Sequence, residues 1–256
     1  TKDIIKETNV PIPMGALGQN VYKSFSKMME VLLDEHKIGE WKEFAYDWRQ
    51  SVDDIVYNGT KYKNGNMSLV ATLQSLIDSS KNGKVTIIAH SNGGLLAKAL
   101  LKKLQDDKNA GRNNLIDSVD VLILVAVPEI GTAVAVPAML HGYDQDILGG
   151  WIVDETRARE LGRNMLGAFG LLPSKEYINH VSASPAAFSD NAIPSQVTTK
   201  LVKTFGGAIN SYAEYKSFLS GGEGRTNPQS GQSNLPICLA SSLFVNSESL
   251  HNDIDA

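Results

Sequence analysis

Two Val/Ile/Leu-rich runs constrain this chain more than any other feature: Val85-Thr86-Ile87-Ile88-Ala89 and the stretch 119–127. A strand that stays apolar without polar alternation belongs between two covering layers, which is the habit of parallel sheets flanked by helices. The segment between the two runs supplies such a helix. Over 93–105, Leu95, Leu96, Ala99, Leu100 and Leu104 fall on one face, and Lys98, Lys102 and Lys103 fall on the other. Upstream, Val21, Phe25, Met28 and Leu32 mark a helix opened by Asn20 and closed near Gly39, and Phe44 to Tyr46 reads as a short strand. Ser68 then caps a helix carrying Leu69, Leu73, Leu76 and Ile77, which Asn82-Gly83 stops. The first half reads as alternating α/β.

Beyond Pro128 no further long β-branched run occurs, and helices are expected around 133–140, 155–169, 211–219 and 235–251, with Ser211 and Glu214 at capping-box spacing. The loop Ser220-Gly221-Gly222-Glu223-Gly224-Arg225 has the glycine density of a phosphate cradle. It joins no strand to a helix, so it reads as an ordinary surface loop.

With 24 Lys+Arg against 28 Asp+Glu, the net charge of −4 offers no general basic field for nucleic acid or an anionic membrane surface. The longest apolar run is far shorter than the roughly 20 residues of a transmembrane helix. A single cysteine, Cys238, excludes an internal disulfide and a cysteine zinc site, and its apolar neighbours Ile237, Leu239 and Ala240 make it a small core residue by expectation. The histidines have no metal-ligand spacing, and neither a metal nor a cofactor is expected.

The chemistry concentrates where the first apolar strand runs into the helix, at Ala89-His90-Ser91-Asn92-Gly93-Gly94. A sharp strand-to-helix turn that exposes a serine needs small residues two before and two after it, here Ala89 and Gly93. Gly94 suits close packing of the helix on the sheet. At such a nucleophile elbow Ser91 Oγ attacks an acyl carbonyl, and the backbone N–H of Asn92 at the helix N-terminus donates to the oxyanion. His90, one residue away on the strand, points to the opposite side and reads as a packing or hydrogen-bonding residue. The competing interpretation of Ser91 is a plain helix N-cap.

This motif, preceded by Phe44-Ala45-Tyr46-Asp47-Trp48-Arg49 and followed by Val127-Pro128-Glu129-Ile130-Gly131-Thr132, resembles the lecithin:cholesterol acyltransferase-like lipases of the α/β-hydrolase superfamily. Leu171-Leu172-Pro173-Ser174 and the segment from Ser249 to Asp255 are similar to parts of the cap in bacterial relatives. The resemblance implies an α/β-hydrolase parallel-sheet core over 1–130 and a mainly helical cap or lid over 131–256. It also implies a serine esterase, lipase or acyltransferase working on an acyl ester or lipid substrate.

Two parts of the family pattern are not met. Only Val10-Pro11-Ile12-Pro13-Met14-Gly15 stands where the first oxyanion strand should end, so the second oxyanion donor is unassigned. The family's catalytic acid and histidine follow two further strands beyond the cap, and neither those strands nor their Asp turn is present. The expectation is therefore a core lacking its C-terminal strands, completed by a C-terminal segment or a second chain. Within the sequence, Glu129 is a candidate acid, and His36, His141, His180 and His251 are candidate bases, with His180 and His251 foremost. Asp47, Trp48 and Arg49 read as an ion pair pinning a loop beneath a packed indole. Trp151, Met165, Leu166, Phe169, Leu171 and Leu172 line an acyl pocket or fill a core. The rival to an enzyme is a hydrolase-like binding or scaffold module.

Overall fold

The computed structural model describes residues 22–62, 65–145, 154–188, 195–222, 224–228 and 235–254. The chain divides into two compact units, Thr1–Asp47 with Val52–Val127, and Trp48–Ser51 with Pro128–Ala256. The fold is mixed α/β, rich in helix, with one small parallel sheet.

In the first unit, α1 (Lys23–Asp34) and α2 (Val52–Asn58) precede a hairpin of β1 (Thr60–Tyr62) and β2 (Gly65–Met67). Next come α3 (Leu69–Ser79), β3 (Val85–His90), α4 (Asn92–Asn109) and β4 (Val119–Val125). The Ser68 side chain accepts the N–H of Ala71, capping α3, and Gly83 takes the left-handed turn that frees the chain for β3. α4 buries Leu95, Leu96, Ala99, Leu100 and Leu104, and it runs one turn further than the apolar stripe predicts. Lys103 bridges to Asp107 and Lys102 to Asp106 across that turn, extending the helix through polar pairs. Leu73, Leu100 and Leu104 form a core with Leu69, Ile77, Val85, Ile87 and Val119 packed against it. Burying a side chain such as Leu104 fully contributes about 1.5–3 kcal/mol.

β3 and β4 pair in parallel, with Ile87 opposite Leu122, Ile88 opposite Ile123 and His90 opposite Val125. That register sorts the side chains into two faces. One carries Val85, Ile87 and buried Ala89 towards the core, and the other carries Ile88, Val121, Ile123 and Val125, which are 42–45% exposed. A sheet covered on both faces was expected. Among the described residues only one face is covered, because residue type specifies an apolar face without specifying what lies on it.

Other departures are local. Phe44 to Tyr46 is extended but joins no ladder; the backbone N–H of Asp47 instead donates to the buried Thr60 hydroxyl at 3.0 Å. α1 starts at Lys23, and its half-buried stripe is Phe25, Met29, Leu32 and Leu33, while Met28 is exposed. Both Met28 and Met29 lie within one turn of Phe25, and the side of the stripe nearer Leu33 is the one that packs. Asn20 and Val21 lie outside the described residues, as do Val10 to Gly15. β4 ends two residues early, where Ala126 adopts φ +48°.

The second unit is helical: α5 (Ala135–His141), α6 (Glu155–Gly162), α7 (Leu166–Phe169), α8 (Lys175–His180), α9 (Ser195–Phe205), α10 (Tyr212–Ser220) and α11 (Ser241–Ile254). Its core gathers Met139, Leu140, Phe169, Leu172, Tyr215, Phe218, Leu219, Ile237 and Phe244. α10 starts with the expected reciprocal cap, the Ser211 side chain accepting the Glu214 N–H and the Glu214 side chain reaching back to the Ser211 N–H.

The helix expected over 155–169 is two, broken after Gly162. The Gly167 N–H donates to the Arg49 carbonyl, and a Cβ at Gly167 would overlap the Trp48 carbonyl, so tertiary contact decides the break. Residues 235–240 are extended, not helical. Ile237 and Leu239 donate to the carbonyls of Leu140 and Leu219, and this alternation turns Cys238 to the other side, half-buried instead of in the core. α2, α8 and α9 were not expected from the sequence.

Candidate active site

The strand-to-helix turn of the first unit is built around an unusual backbone. Ser91 has φ +53° and ψ −131°, a region that costs a non-glycine residue about 1–3 kcal/mol. Its N–H donates to Val125 of the neighbouring strand at 2.9 Å, and its carbonyl accepts the N–H of Gly94 at 2.9 Å. The chain thus leaves the sheet and enters α4 within one residue. Ser91 makes no side-chain cap hydrogen bond to the helix, and its dihedrals differ from the extended ones of an N-cap. Ser91 is half-buried at the amino end of an 18-residue helix, where unpaired N–H groups and the helix dipole favour negative charge.

Small residues surround the turn, though not all where the sequence suggested. Ala89 is 7% exposed. A Cβ at Gly94 would overlap the side chain of Val127, so Gly94 is the position at which α4 and the segment just beyond β4 approach too closely for any other residue. A Cβ at Gly93 would meet only the Tyr46 hydroxyl, at 3.9 Å. The steric demand assigned to Gly93 therefore belongs to Gly94.

Each neighbour of Ser91 is held by a tyrosine. On one side, the Tyr22 hydroxyl lies 2.7 Å from His90 Nδ1, with the rings edge-on at 5.5 Å. That contact, on the open face of the sheet, agrees with reading His90 as a hydrogen-bonding residue. On the other side, the side-chain amide of Asn92 donates to the Tyr46 hydroxyl. Burial pushes the Tyr46 phenol up to about 12, aided by nearby Tyr22 and opposed by the Asn92 bond. At neutral pH this phenol keeps its proton. The other end of the Asn92 amide, Oδ1, is buried with no hydrogen-bond partner among the described residues. Neither tyrosine was singled out from the sequence as a site residue; the only signal for Tyr46 was its place before Asp47-Trp48-Arg49.

Two of the remaining candidates have local partners. His180 is exposed and pairs with Glu176 at 2.9 Å. His251 is buried in α11, its Nε2 3.1 Å from the Gly170 carbonyl, while Ser247 one turn earlier donates to the Phe169 carbonyl. Together they close the C-terminal end of α7. His141 ends α5, where burial and the charges of Arg159 and Arg225 lower its proton affinity. His36 is exposed just beyond α1, and Glu129 is exposed in the turn after β4. Trp48 is 55% exposed, so it is not the packed indole expected, whereas Phe169 and Leu172 are core residues. Trp151 lies outside the described residues.

The glycine-rich loop is tied down by Arg225. Its guanidinium donates to the carbonyls of Phe218 and Leu219 at the end of α10 and to those of Pro236 and Ile237, and it lies over the Phe218 ring. Gly221 forms the left-handed C-cap. Among the described residues no group of His, Cys, Asp and Glu could hold a metal ion, and no helix is long and apolar enough to cross a membrane.

Residues 14–220 match the family model described as lecithin:cholesterol acyltransferase. A chain from the crystal structure of the Tle4-Tli4 complex is similar over 81% of this chain and 40% of its own, at 18% identity and a TM-score of 0.39. This chain thus spans about two fifths of the length of that solved chain. No curated protein matches.

Proposed function

This chain belongs to the lecithin:cholesterol acyltransferase family, and from that premise we propose that it transfers acyl groups from lipid-type carboxylic esters through a covalent intermediate on Ser91. The observation that carries the proposal is the Ser91 turn, whose strained backbone is maintained although the side chain does not cap the helix. Strain of this kind persists where surrounding structure over-determines it, and it clusters at functional sites. The turn is read as a nucleophile elbow, the first unit as the hydrolase core, and the second as its helical insertion.

In the reaction, Ser91 Oγ attacks the ester carbonyl carbon as its proton passes to a base. The carbonyl electron pair becomes an oxyanion facing the backbone N–H of Asn92. Collapse of the intermediate breaks the bond to the alcohol, which leaves with the proton. Water or a second alcohol then attacks the acyl-serine, giving hydrolysis or transfer. The acid and histidine of a triad are proposed to come from a completing segment or a partner chain, since His90 is engaged by Tyr22, His251 by the Gly170 carbonyl and His180 by Glu176.

A chromogenic butyrate ester tests the reading. The expected result is slow release of the alcohol, with a butyryl mass increment confined to the peptide containing Ser91 and absent from Ser91→Ala. The second reading is a non-catalytic module, favoured by those engaged histidines and by a sheet face left 42–45% exposed among the described residues. An alcohol release that is the same in Ser91→Ala, with no acylated peptide, selects it.

A further inference from the structure

The pairing of Tyr46 with Asn92 has no explanation in the stability of the turn. An amide at position 92 leaves a buried acceptor, Oδ1, without a hydrogen-bond partner among the described residues, and such an atom is a cost to folding. An aliphatic side chain would not incur it. The amide nevertheless stands directly after the serine, as the first residue of α4, and its other end is fixed by the hydroxyl of a half-buried tyrosine. That hydroxyl is also what a side chain at Gly93 would meet first, so it lies over the opening residues of the helix.

We infer that Tyr46 is a positioning residue for the Ser91 site: by holding the Asn92 side chain it fixes the first peptide of α4, and so aims the Asn92 backbone N–H at the oxyanion. The inference rests on the proposed function. The Asn92 side chain has few ways to turn once its amide is anchored, and the backbone N–H of the same residue is fixed with it. A donor aimed in advance stabilises a developing oxyanion without reorganisation at the moment of reaction. Tyr46 does this without touching the reacting atoms. Its phenol, which stays protonated to about pH 12, keeps the contact unchanged across the working range.

The test is the rate at which an alkyl fluorophosphonate modifies Ser91, measured against probe concentration in the wild type, Tyr46→Phe, Asn92→Ala and the double variant. Thermal melts are recorded for each. In this reaction Oγ gives up its proton to solvent and bonds to phosphorus, fluoride leaves, and the phosphoryl oxygen carries the developing charge. Tyr46→Phe is expected to lower the limiting rate about tenfold with the half-saturating probe concentration unchanged. Asn92→Ala should do the same, and the double variant should fall no further, because one device has been removed twice. Asn92→Ala should also melt no lower than the wild type, since it removes the orphaned acceptor, and a structural role would not separate rate from melting in this way.

A Tyr46→Phe rate equal to wild type, a decrement explained by loss of folded protein, or additive effects in the double variant would each overturn the inference while leaving the Ser91 reading intact. If the wild type takes up no probe at Ser91, the proposed function has failed instead, and the inference with it.

Discussion

The serine at the mouth of α4 is held at φ +53°, a conformation glycine adopts without penalty. Ser91→Gly should therefore raise stability in urea titration by about 1 kcal/mol, after the extra chain entropy of glycine is subtracted, and abolish acylation. A loss of stability would mean that the turn is unstrained. Gly94 gives the opposite case: Gly94→Ala forces a methyl group into Val127 and should destabilise the first unit by about 1–3 kcal/mol in the same titration. A change within about 0.5 kcal/mol would show that α4 and the segment just beyond β4 can separate there freely.

The strand-to-helix turn at Ser91 and the tight approach behind it were legible in the sequence, because strand, turn and helix signals converge on six residues. The sequence could not distinguish Gly93 from Gly94, since that choice depends on where Val127, just beyond β4 and more than 30 residues away, packs. Nor could it bring Tyr22 and Tyr46 to the two neighbours of Ser91, for no local rule pairs residues so distant in the chain.

Among the elements of the first unit, α4 buries the most described residues, and its two ends are stabilised differently. Leu104 is fully buried, and Leu104→Ala should cost about 2–5 kcal/mol. At the C-terminal end, buried Asp107 is bonded to Lys103, Arg112 and Asn113, and the Lys103 bond, outweighing burial, holds its carboxyl down at about 2 instead of 3.8. A carboxyl whose folded-state pKa is depressed adds stability that is complete above its unfolded value and disappears as pH falls through the folded one. Stability should thus decline between about pH 4 and pH 2, and Asp107→Asn should be less stable at pH 7 with a flatter acid limb. Parallel acid limbs in the two proteins would contradict this.

Helices with capping chemistry, α3 with Ser68 and α10 with Ser211 and Glu214, were readable because their start signals are local. The split between α6 and α7 and the extended run 235–240 were not. In both, backbone hydrogen bonds to distant residues, Gly167 to Arg49 and Leu239 to Leu219, override a helical pattern.

At the scale of the whole molecule, the apolar sheet face of Ile88, Val121, Ile123 and Val125 is a mismatch between composition and environment among the described residues. Contiguous exposed apolar surface marks places where something else packs. Ile123→Lys should therefore reduce binding of a hydrophobic dye while changing stability by less than about 1 kcal/mol, because the side chain is already 42% exposed. A large loss of stability would mean that the face is buried in solution. From sequence alone, Ile88 and Ile123 looked as deeply buried as Ile87 and Leu122, for hydrophobicity does not reveal whether a cover exists.

The central claim is that a strained turn in a family of acyl transferases presents Ser91 as a nucleophile. Its most direct test is mass-spectrometric mapping of the fluorophosphonate adduct on the folded protein. The expected result is a single modified residue, Ser91, formed slowly and lost on unfolding in urea; an unmodified Ser91 in the folded protein would overturn the proposal.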